Sequence, residues 1–312
     1  MNTNHLSPAI LAEKISSAVE ASPFRLENES AYQAWRQDKL QARLDGKALQ
    51  LFRLDGRNCF RAESRQQLML NLRAFNFILF EAPHDLTAAE FLELNRQLGL
   101  IDLDPSAAGE PVSMLQLLPD EDRRSRYIPY SNRALNWHTD GYYNAGSHRL
   151  NAFSLFCVRQ AHSGGGNFLF DHEMMYLLIR DQDPELIAAL MASDLMLVPA
   201  NIEAGKQIRA AESGPVFSIN RFSGELNMRY TSRPRNIEWK SDRHSQQALK
   251  LLREVLMDSE AIVKCRLEQK QGMICNNLLH GREAFEEASD RPGRLYYRAR
   301  YYNSIKPHWQ GV

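Results

Sequence analysis

Two short polar motifs that lie far apart in the chain constrain its fold more than any other feature. The first is the run from Trp137 to Gly141, Trp-His-Thr-Asp-Gly, and the second is the run from Asn276 to Arg282, Asn-Asn-Leu-Leu-His-Gly-Arg. Together they offer two imidazoles and one carboxylate, the ligand set of a non-haem Fe(II) site that keeps coordination positions open. If His138, Asp140 and His280 bind one ion, the fold has to bring distant segments together.

Strands satisfy that requirement. A histidine and an aspartate two residues apart on an extended strand point to the same face of a sheet, because side chains alternate with a period of two. The second histidine then has to come from another strand. His280 follows a strand-like segment and precedes the turn residue Gly281. Such a sequence separation is what a barrel closing on itself produces.

The first motif alone is a weak signal, because histidine and aspartate are common residues. The chain has 9 histidines, and His148, His162 and His172 follow closely enough to compete as ligands. Taken alone, His138 is better explained as a buried imidazole bonded to a backbone carbonyl. A metal site is therefore predicted only if the residues around His280 support it.

Two arginines beyond His280 strengthen the metal interpretation. Arg294 and Arg298 are four residues apart, so a strand would project both guanidinium groups from one face. Burying them requires anions, and a dicarboxylate together with an anionic substrate group would meet that need through bidentate hydrogen bonds. The alternative is a solvated basic strand, but the neighbouring tyrosines and Leu295 make full exposure a poor fit.

The chain is interpreted as one domain, 1–312, with two parts. Residues 1–130 read as a mixed, partly helical part with predicted helices at 8–21, 31–44, 64–72 and 87–98, the last with a capping box at Thr87 and Glu90. The irregular stretch 102–131 is either an active-site lid or a plain surface loop. Residues 131–312 read as a strand-rich core that holds the metal residues.

Composition excludes several classes of partner. The sequence has 38 basic and 38 acidic residues and a formal net charge of +0, which gives no electrostatic reason to expect nucleic acid or an anionic membrane. The 4 cysteines are widely spaced, and the apolar runs are too short to cross a bilayer. No signal peptide is evident, so a cytoplasmic location is the default expectation.

These motifs resemble those of the taurine dioxygenase-like superfamily of Fe(II)- and 2-oxoglutarate-dependent oxygenases. The Trp-His-Thr-Asp run is similar to the first metal motif of the taurine and aryloxyalkanoate dioxygenases. The His-Gly-Arg-x-x-Phe run with its two following arginines is similar to the clavaminate synthase-like amino-acid β-hydroxylases, which usually carry Glu where this chain has Asp140. The resemblance implies a double-stranded β-helix, or jelly roll, with helices on its outside.

The resemblance also implies residue roles. His138, Asp140 and His280 match the iron ligands, Arg294 matches the arginine that binds the distal carboxylate of 2-oxoglutarate, and Arg298 matches one that faces the substrate or supports the co-substrate. The implied reaction consumes O2 and 2-oxoglutarate, releases succinate and CO2, and oxidises a C–H bond. The presence of Asp140 favours hydroxylation or desaturation over halogenation, because related halogenases lack this carboxylate.

One contact of the family is left open. Relatives often place a threonine in a Gly-Gly-Asp-Thr run to help bind the co-substrate, whereas this chain has Phe168 in the equivalent position. A phenylalanine cannot donate that hydrogen bond. Asn167 or another residue is expected to replace it.

The substrate is predicted to be a small anionic molecule, most simply an amino acid or a related carboxylate. Candidate contacts are Arg298, Arg229, Tyr142 and Asn144. Tyr142 and Asn144 would share the strand face of Asp140, and Arg229 needs a partner because it is an arginine within a strand-like segment. Structural or rim contacts are about equally good explanations for each.

Other functions fit the same residues. A sulfonate or aryloxyalkanoate dioxygenase, a Zn or Mn jelly-roll hydrolase or isomerase, and an inactive binding protein are the alternatives. No nucleic-acid or membrane partner is expected, and relatives suggest a homo-oligomer.

Overall fold

The computed structural model describes residues 17–46, 49–105, 109–233 and 235–305, except for the side chain of Ser147. These residues fall into two compact units, which are described separately. The first unit consists of described residues up to 41 with 172–229 and 237–257, and the second consists of 42–171, 230–236 and 258 onward. The predicted metal ligands all belong to the second unit.

Six helices and nineteen strands account for most of the described residues. The helices are α1 (Glu29–Gly46), α2 (Arg65–Phe75), α3 (Ala88–Arg96), α4 (His172–Gln182), α5 (Pro184–Leu190) and α6 (Arg243–Asp258). The strands are β1 (Leu51–Arg53), β2 (Phe77–Glu81), β3 (Ser113–Leu115), β4 (Leu135–His138), β5 (Ala152–Arg159), β6 (Ser163–Gly164), β7 (Asn167–Phe170), β8 (Met196–Val198), β9 (Asn201–Glu203), β10 (Lys206–Arg209), β11 (Glu212–Gly214), β12 (Phe217–Ile219), β13 (Leu226–Met228), β14 (Glu238–Trp239), β15 (Val263–Cys265), β16 (Gln271–Asn276), β17 (Leu279–Arg282), β18 (Phe285–Glu286) and β19 (Leu295–Tyr301).

Two sheets form the body of the second unit. One has six strands in the order β1-β2-β16-β5-β19-β3, and the other has four in the order β15-β7-β17-β4. All neighbouring strands in both sheets are antiparallel except the parallel pair β1 and β2. Strands that are distant in sequence lie side by side, which is the connectivity of a jelly roll. The predicted double-stranded β-helix is confirmed.

An apolar core fills the space between the two sheets. Phe153 and Leu155 on β5 and Met273 on β16 share one cluster with Leu169 on β7. Because side chains alternate along a strand, these residues define the inner faces of the two sheets. The ring of Phe153 also lies 4.3 Å, centroid to centroid, from the imidazole of His280. The metal residues therefore lie at this inner face.

Helices cover the outer face of the six-stranded sheet. Leu72 of α2 and Phe91 of α3 join a second cluster with Ile78, Phe156 and Ile274, which have the opposite strand parity to the inner residues. Thr87 caps α3, and its reciprocal bonds with Glu90 form the predicted capping box. Because helices cover this face, β2, β5 and β16 carry apolar residues on both faces of the sheet.

The first unit is built around α4 and small antiparallel sheets. The sheets have the strand orders β11-β8-β14, β10-β9 and β12-β13, the last being an antiparallel hairpin whose connection contains Ser223 and Gly224. The buried guanidinium of Arg180 lies 3.7 Å from the ring centroid of Tyr32 and donates to the carbonyls of Pro23 and Arg25. This contact fastens the segment that precedes α1 onto α4.

Most predicted helices are present, with small differences at their ends. The helix predicted at 31–44 is α1, and the one predicted at 64–72 is α2, although the Ser64 side chain makes no capping bond. Of the helix predicted at 8–21, residues 17–20 are helical and residues 8–16 lie outside the described part of the chain. No helix among the described residues is long and apolar enough to cross a membrane. The single-domain interpretation stays a prediction.

We expect Gly272→Ala to destabilise the second unit strongly. A Cβ at this position of β16 would collide with the ring of Phe80 and lie 2.6 Å from the carbonyl oxygen of Leu155. Overpacking of this kind costs typically about 1–3 kcal/mol. The free energy of unfolding from urea titration measures the effect.

Gly56→Ala is the matched control, because no atom lies within 4 Å of the Cβ it would add. An equal loss of stability in both variants would contradict the packing assigned to Gly272.

Candidate metal centre

Strand pairing brings the two histidines together. β4 and β17 are antiparallel neighbours, and His138 is the direct partner of His280 in their register. The two ring centroids lie 4.2 Å apart. A bulge follows this pair, between His280 and Arg282, so the pairing of the two strands changes register beyond the histidines.

Asp140 reaches the same place from a turn. β4 ends at His138, and the chain is then held by two hydrogen bonds, from Thr139 N to Tyr230 O (3.0 Å) and from Tyr230 N to the Thr139 hydroxyl (3.1 Å). Gly141 follows Asp140 with φ of +66°, a left-handed conformation that glycine adopts without strain. The turn, rather than continued strand, directs the carboxylate toward the histidines.

This turn corrects one sequence argument. His138 and Asp140 were predicted to share a strand face, and Tyr142 and Asn144 to continue it. The strand stops before Asp140, so period-two alternation does not apply to residues 140–144. The convergence of His138 with Asp140 is right, whereas the stated reason for placing Tyr142 and Asn144 beside them is wrong.

The three predicted ligands form a compact group. Nε2 of His138 lies 3.7 Å, and Nε2 of His280 4.0 Å, from Oδ1 of Asp140. One ligand atom from each residue lies within 4.8 Å of the others. All three side chains are about nine-tenths buried. This spacing fits three ligands on one face of a single ion.

Backbone carbonyls orient both imidazoles. Nδ1 of His138 lies 2.9 Å from the carbonyl oxygen of Asn136, and Nδ1 of His280 lies 3.0 Å from that of Leu278. A proton on Nδ1 satisfies each carbonyl and leaves the lone pair of Nε2 for a metal. The buried Oδ2 of Asp140 has no hydrogen-bond partner among the described residues. These three donors fit a divalent transition-metal ion.

The charge states of the site also suit a cation. Burial opposes ionisation of Asp140, but the guanidinium of Arg298, the neighbouring His138 and the guanidinium of Arg300 outweigh it, and they hold the pKa of the carboxyl well below its usual range. Burial, followed by repulsion from His138, lowers the pKa of His280 to about 3. The site therefore offers a carboxylate and a neutral imidazole at neutral pH.

A buried arginine lies immediately before β19. Arg294 directly precedes β19, its guanidinium is 3.9 Å from the ring centroid of Tyr296, and its buried Nη1 has no hydrogen-bond partner among the described residues. Burial lowers its pKa from the ordinary arginine value, although arginine stays charged at neutral pH. A second buried guanidinium, that of Arg282, lies 4.7 Å from the ring centroid of Phe285, and Arg294 lies 5.2 Å from the same centroid. The pair favours an anion nearby.

The structure places Asn167 and Phe168 on opposite faces of the four-stranded sheet. Asn167 has the parity of Leu169, which belongs to the inner core, and its Nδ2 is buried without a partner among the described residues. Phe168 instead packs against Gly281, where an added Cβ would collide with its ring, and against Trp137 at 4.5 Å between centroids. Asn167 is thus the residue of this pair with a free donor on the inner face.

Arg298 is close to the metal ligands. Its Nη1 lies 3.9 Å from Oδ1 of Asp140, beyond hydrogen-bond distance, and its buried Nε has no partner among the described residues. Arg300, two residues on, pairs with Asp104 at 2.7 Å. Attraction to Asp140 and to Asp104 raises the pKa of Arg300 despite its burial. The Nε donor of Arg298 can therefore bind another anion, whereas the guanidinium of Arg300 is already paired with the Asp104 carboxylate.

The other predicted substrate residues have partners of their own. The hydroxyl of buried Tyr142 accepts from Nη1 of Arg233 at 2.9 Å, and Nδ2 of Asn144 donates to the carbonyl oxygen of His148 at 2.9 Å. Arg229 belongs to the first unit, where its guanidinium donates to the carbonyls of Met196 (3.0 Å) and Glu212 (2.9 Å). Their substrate-binding roles stay predictions.

Sequence reasoning missed Arg300 and Arg233. Arg300 has the strand parity of Arg298, so the pattern that singled out Arg294 and Arg298 could have included it. Arg233 lies in an irregular segment, and its contact with Tyr142 joins positions distant in sequence. No sequence signal pointed to that contact.

A jelly roll with two histidines and one carboxylate at its inner face defines a candidate mononuclear metal enzyme. The model of the taurine catabolism dioxygenase TauD, TfdA family matches residues 38–299, and the chain belongs to this family. It is 29% identical over 163 residues to a uridine-5'-phosphate dioxygenase of an Amycolatopsis species, and 30% identical over 185 residues to one of a Streptomyces species. These matches cover 49% and 57% of this chain, and they span 56% and 65% of the two relatives.

Solved structures share the fold at low identity. An asparagine oxygenase structure has a TM-score of 0.55 and 17% identity, with 94% of this chain and 91% of that chain covered. The non-heme iron oxygenase OrfP has a TM-score of 0.54 and 15% identity, with 97% and 93% covered. At these identities the likeness shows the fold.

We expect the protein to bind one divalent ion per chain, and His138→Ala, Asp140→Ala and His280→Ala each to abolish or greatly weaken binding. Each variant removes one of the three donors that converge at the inner face. Electron paramagnetic resonance of Mn(II) gives the stoichiometry and affinity without any turnover. Because His84 is half exposed and pairs with Glu90, His84→Ala is the control. Retained affinity in the three ligand variants would refute the site.

Proposed function

We propose that this chain is an Fe(II)- and 2-oxoglutarate-dependent oxygenase that oxidises a C–H bond of a small anionic metabolite, with O2 as oxidant and succinate and CO2 as co-products. The observation that carries the proposal is the combination of three converging metal donors with buried guanidinium nitrogens, Nη1 of Arg294 and Nε of Arg298, that have no hydrogen-bond partner among the described residues. Hydroxylation and desaturation are both compatible with it. Family membership supports the reaction class.

Arg294 and Asn167 are assigned to 2-oxoglutarate. Nη1 of Arg294 and Nδ2 of Asn167 are buried donors that lack partners among the described residues, and a desolvated carboxylate would satisfy both. Asn167 then takes the part that threonine has in the resembled enzymes. The ring of Tyr296 against Arg294 restricts the guanidinium and excludes water from one side of it.

His138, Asp140 and His280 would hold the iron. When bound, iron and its co-substrate would supply the oxidising chemistry, and the chain would position them and exclude water. Asp140 contributes the negative charge, held ionised by Arg298, and the two Nδ1 contacts keep both imidazoles in place. Phe153 packs against His280 and shields that side of the site from water.

Arg298 is assigned to the anionic group of the main substrate. It is the buried guanidinium nearest to Asp140, and its Nε keeps a hydrogen bond to give. An amino acid or related carboxylate is the preferred substrate class. The sequence relatives named as uridine-5'-phosphate dioxygenases support a second candidate, a nucleoside 5'-phosphate, whose dianion would also suit this arginine.

Three expectations from the sequence remain outside the structural argument. The cytoplasmic location, the homo-oligomer and the role of Arg229 toward substrate stay predictions. A non-oxygenase enzyme that uses the same ligands is the main rival. Succinate formation that requires both O2 and Fe(II) would separate the two, because a hydrolase or isomerase consumes no 2-oxoglutarate.

We expect Arg294→Ala to raise the 2-oxoglutarate concentration for half-maximal succinate formation at least tenfold, with Mn(II) affinity close to wild type. Removing a charged partner from a desolvated site costs roughly 2 to 5 kcal/mol, and about 1.4 kcal/mol corresponds to a tenfold change in affinity. Titration of 2-oxoglutarate at saturating Fe(II) measures the change.

Asn167→Ala should change the same quantity in the same direction by less, because it removes an uncharged donor. Asn201→Ala removes an uncharged amide of the first unit whose side chain donates to Glu203, so it is the control and should leave the requirement unchanged. If Arg294→Ala keeps the wild-type 2-oxoglutarate requirement, the assignment of Arg294 is wrong.

We expect one of four substrate panels to stimulate succinate formation, namely amino acids, short carboxylates, sulfonates or nucleoside 5'-phosphates. We expect Arg298→Ala to weaken the binding of that substrate more than the binding of 2-oxoglutarate. The physical reason is the free Nε of Arg298 beside Asp140. The ratio of the two half-saturation concentrations is the readout.

Arg53→Ala serves as the control, since Arg53 is exposed and pairs with Glu81. A loss confined to 2-oxoglutarate in Arg298→Ala would reverse the division of labour between the two arginines. Stimulation by nucleoside 5'-phosphates alone would replace the carboxylate class with the second candidate.

A further inference from the structure

A buried asparagine holds the backbone of Asp140 by both of its polar groups. Oδ1 of Asn277 accepts from the Asp140 N–H at 2.8 Å, and Nδ2 of Asn277 donates to the Asp140 carbonyl oxygen at 2.8 Å. The same Nδ2 donates to the carbonyl oxygen of Leu150, also at 2.8 Å. Both amide protons and one acceptor position of Asn277 are therefore in use.

Asp140 needs such a partner because its strand has ended. β4 stops at His138, so no ladder bond is available to the backbone groups of Asp140. The following Gly141 turns the chain with φ of +66°, and a Cβ there would lie 2.9 Å from the side chain of Leu150. The carboxylate thus stands on a tight turn whose two polar backbone groups are buried and bonded by one side chain. Without Asn277 these groups would lose their partners.

The same residue is connected to the second histidine ligand. Asn277 N donates to the carbonyl oxygen of Asn151 at 2.9 Å, which fixes the turn between β16 and β17. The next carbonyl along the chain, that of Leu278, lies 3.0 Å from Nδ1 of His280. Asn277 and Leu278 therefore set the positions of Asp140 and His280 from one point of the backbone.

We propose that Asn277 is a positioning residue of the metal centre, which fixes the Asp140 carboxylate relative to His280 through the Asp140 backbone. Protein–metal distances are held within about 0.2 Å of their preferred values, so a small displacement of this turn lowers metal affinity. The inference rests on the metal centre proposed above. It assigns to Asn277 no contact with metal, co-substrate or substrate.

The test compares Asn277→Ala with Asn276→Ala in the full chain. Asn276 is the matched control because it is the adjacent asparagine, and its side chain bonds Asn76 and the Ile305 N–H instead of the metal segments. Mn(II) affinity is measured by electron paramagnetic resonance and calorimetry. The rise in melting temperature on adding saturating Mn(II) is the second readout, because it reports binding to the folded state relative to each variant's own stability.

We expect Asn277→Ala to weaken Mn(II) binding by roughly 10- to 100-fold, the usual effect of removing a residue that orients a metal ligand. Its melting temperature should rise less on Mn(II) addition than that of Asn276→Ala, and its Mn(II) spectrum should broaden. Wild-type affinity in Asn277→Ala, or an equal loss in Asn276→Ala, would overturn the inference while leaving the metal centre standing. Failure of the wild-type chain to bind Mn(II) would instead overturn the metal centre and the inference together.

Asn277→Asp keeps the inference testable if the alanine variant does not fold. It retains an acceptor for the Asp140 N–H and replaces the donor by an oxygen facing two carbonyl oxygens. We expect a folded protein with weaker Mn(II) binding than Asn276→Ala. Unchanged binding in Asn277→Asp would show that the bonds to the two carbonyls do not position the ligand.

Discussion

The antiparallel pairing of β4 with β17 is the interaction on which the rest of the site depends. It makes His138 and His280 direct partners, and it places their rings on the inner face beside Phe153. A shift of one residue in this pairing would turn one imidazole to the outer face and away from the other, because side chains alternate along each strand. The bulge after this pair makes such a shift costly, and the apolar core between the two sheets opposes it as well.

The inner face carries more positive than negative charge. Arg294 and Arg298 are buried there with unbonded nitrogens, and Asp140 is the acid that faces Arg298. A divalent ion would add further positive charge. A buried charge without a partner is costly, so the anions proposed above would offset the positive charge of these arginines and of the ion.

The sequence predicted the candidate ligand set from local patterns, namely residue type, strand parity and the motif runs around positions 138 and 280, and it predicted the jelly roll from the family resemblance that these motifs carry. It gave the wrong reason for Asp140, since a turn that begins after His138 is decided by tertiary bonds from Tyr230 and Asn277. The pairing of Tyr142 with Arg233 was missed because it is a tertiary contact with no local pattern. Whether Asn167 or another residue replaces the threonine is open in sequence, because the placement of Asn167 depends on which face of β7 meets the core.

The outer face of the four-stranded sheet has a consequence for redesign of the pocket. Phe168 covers Gly281 and packs on Trp137, which directly follow His280 and precede His138, the two candidate metal ligands. A side chain introduced at 281 would collide with that ring and lie 2.6 Å from the carbonyl oxygen of Leu135 on β4. Redesign of the pocket for a new substrate therefore has to keep Gly281 and this aromatic backing, in addition to the residues that the inner face contributes to the candidate site.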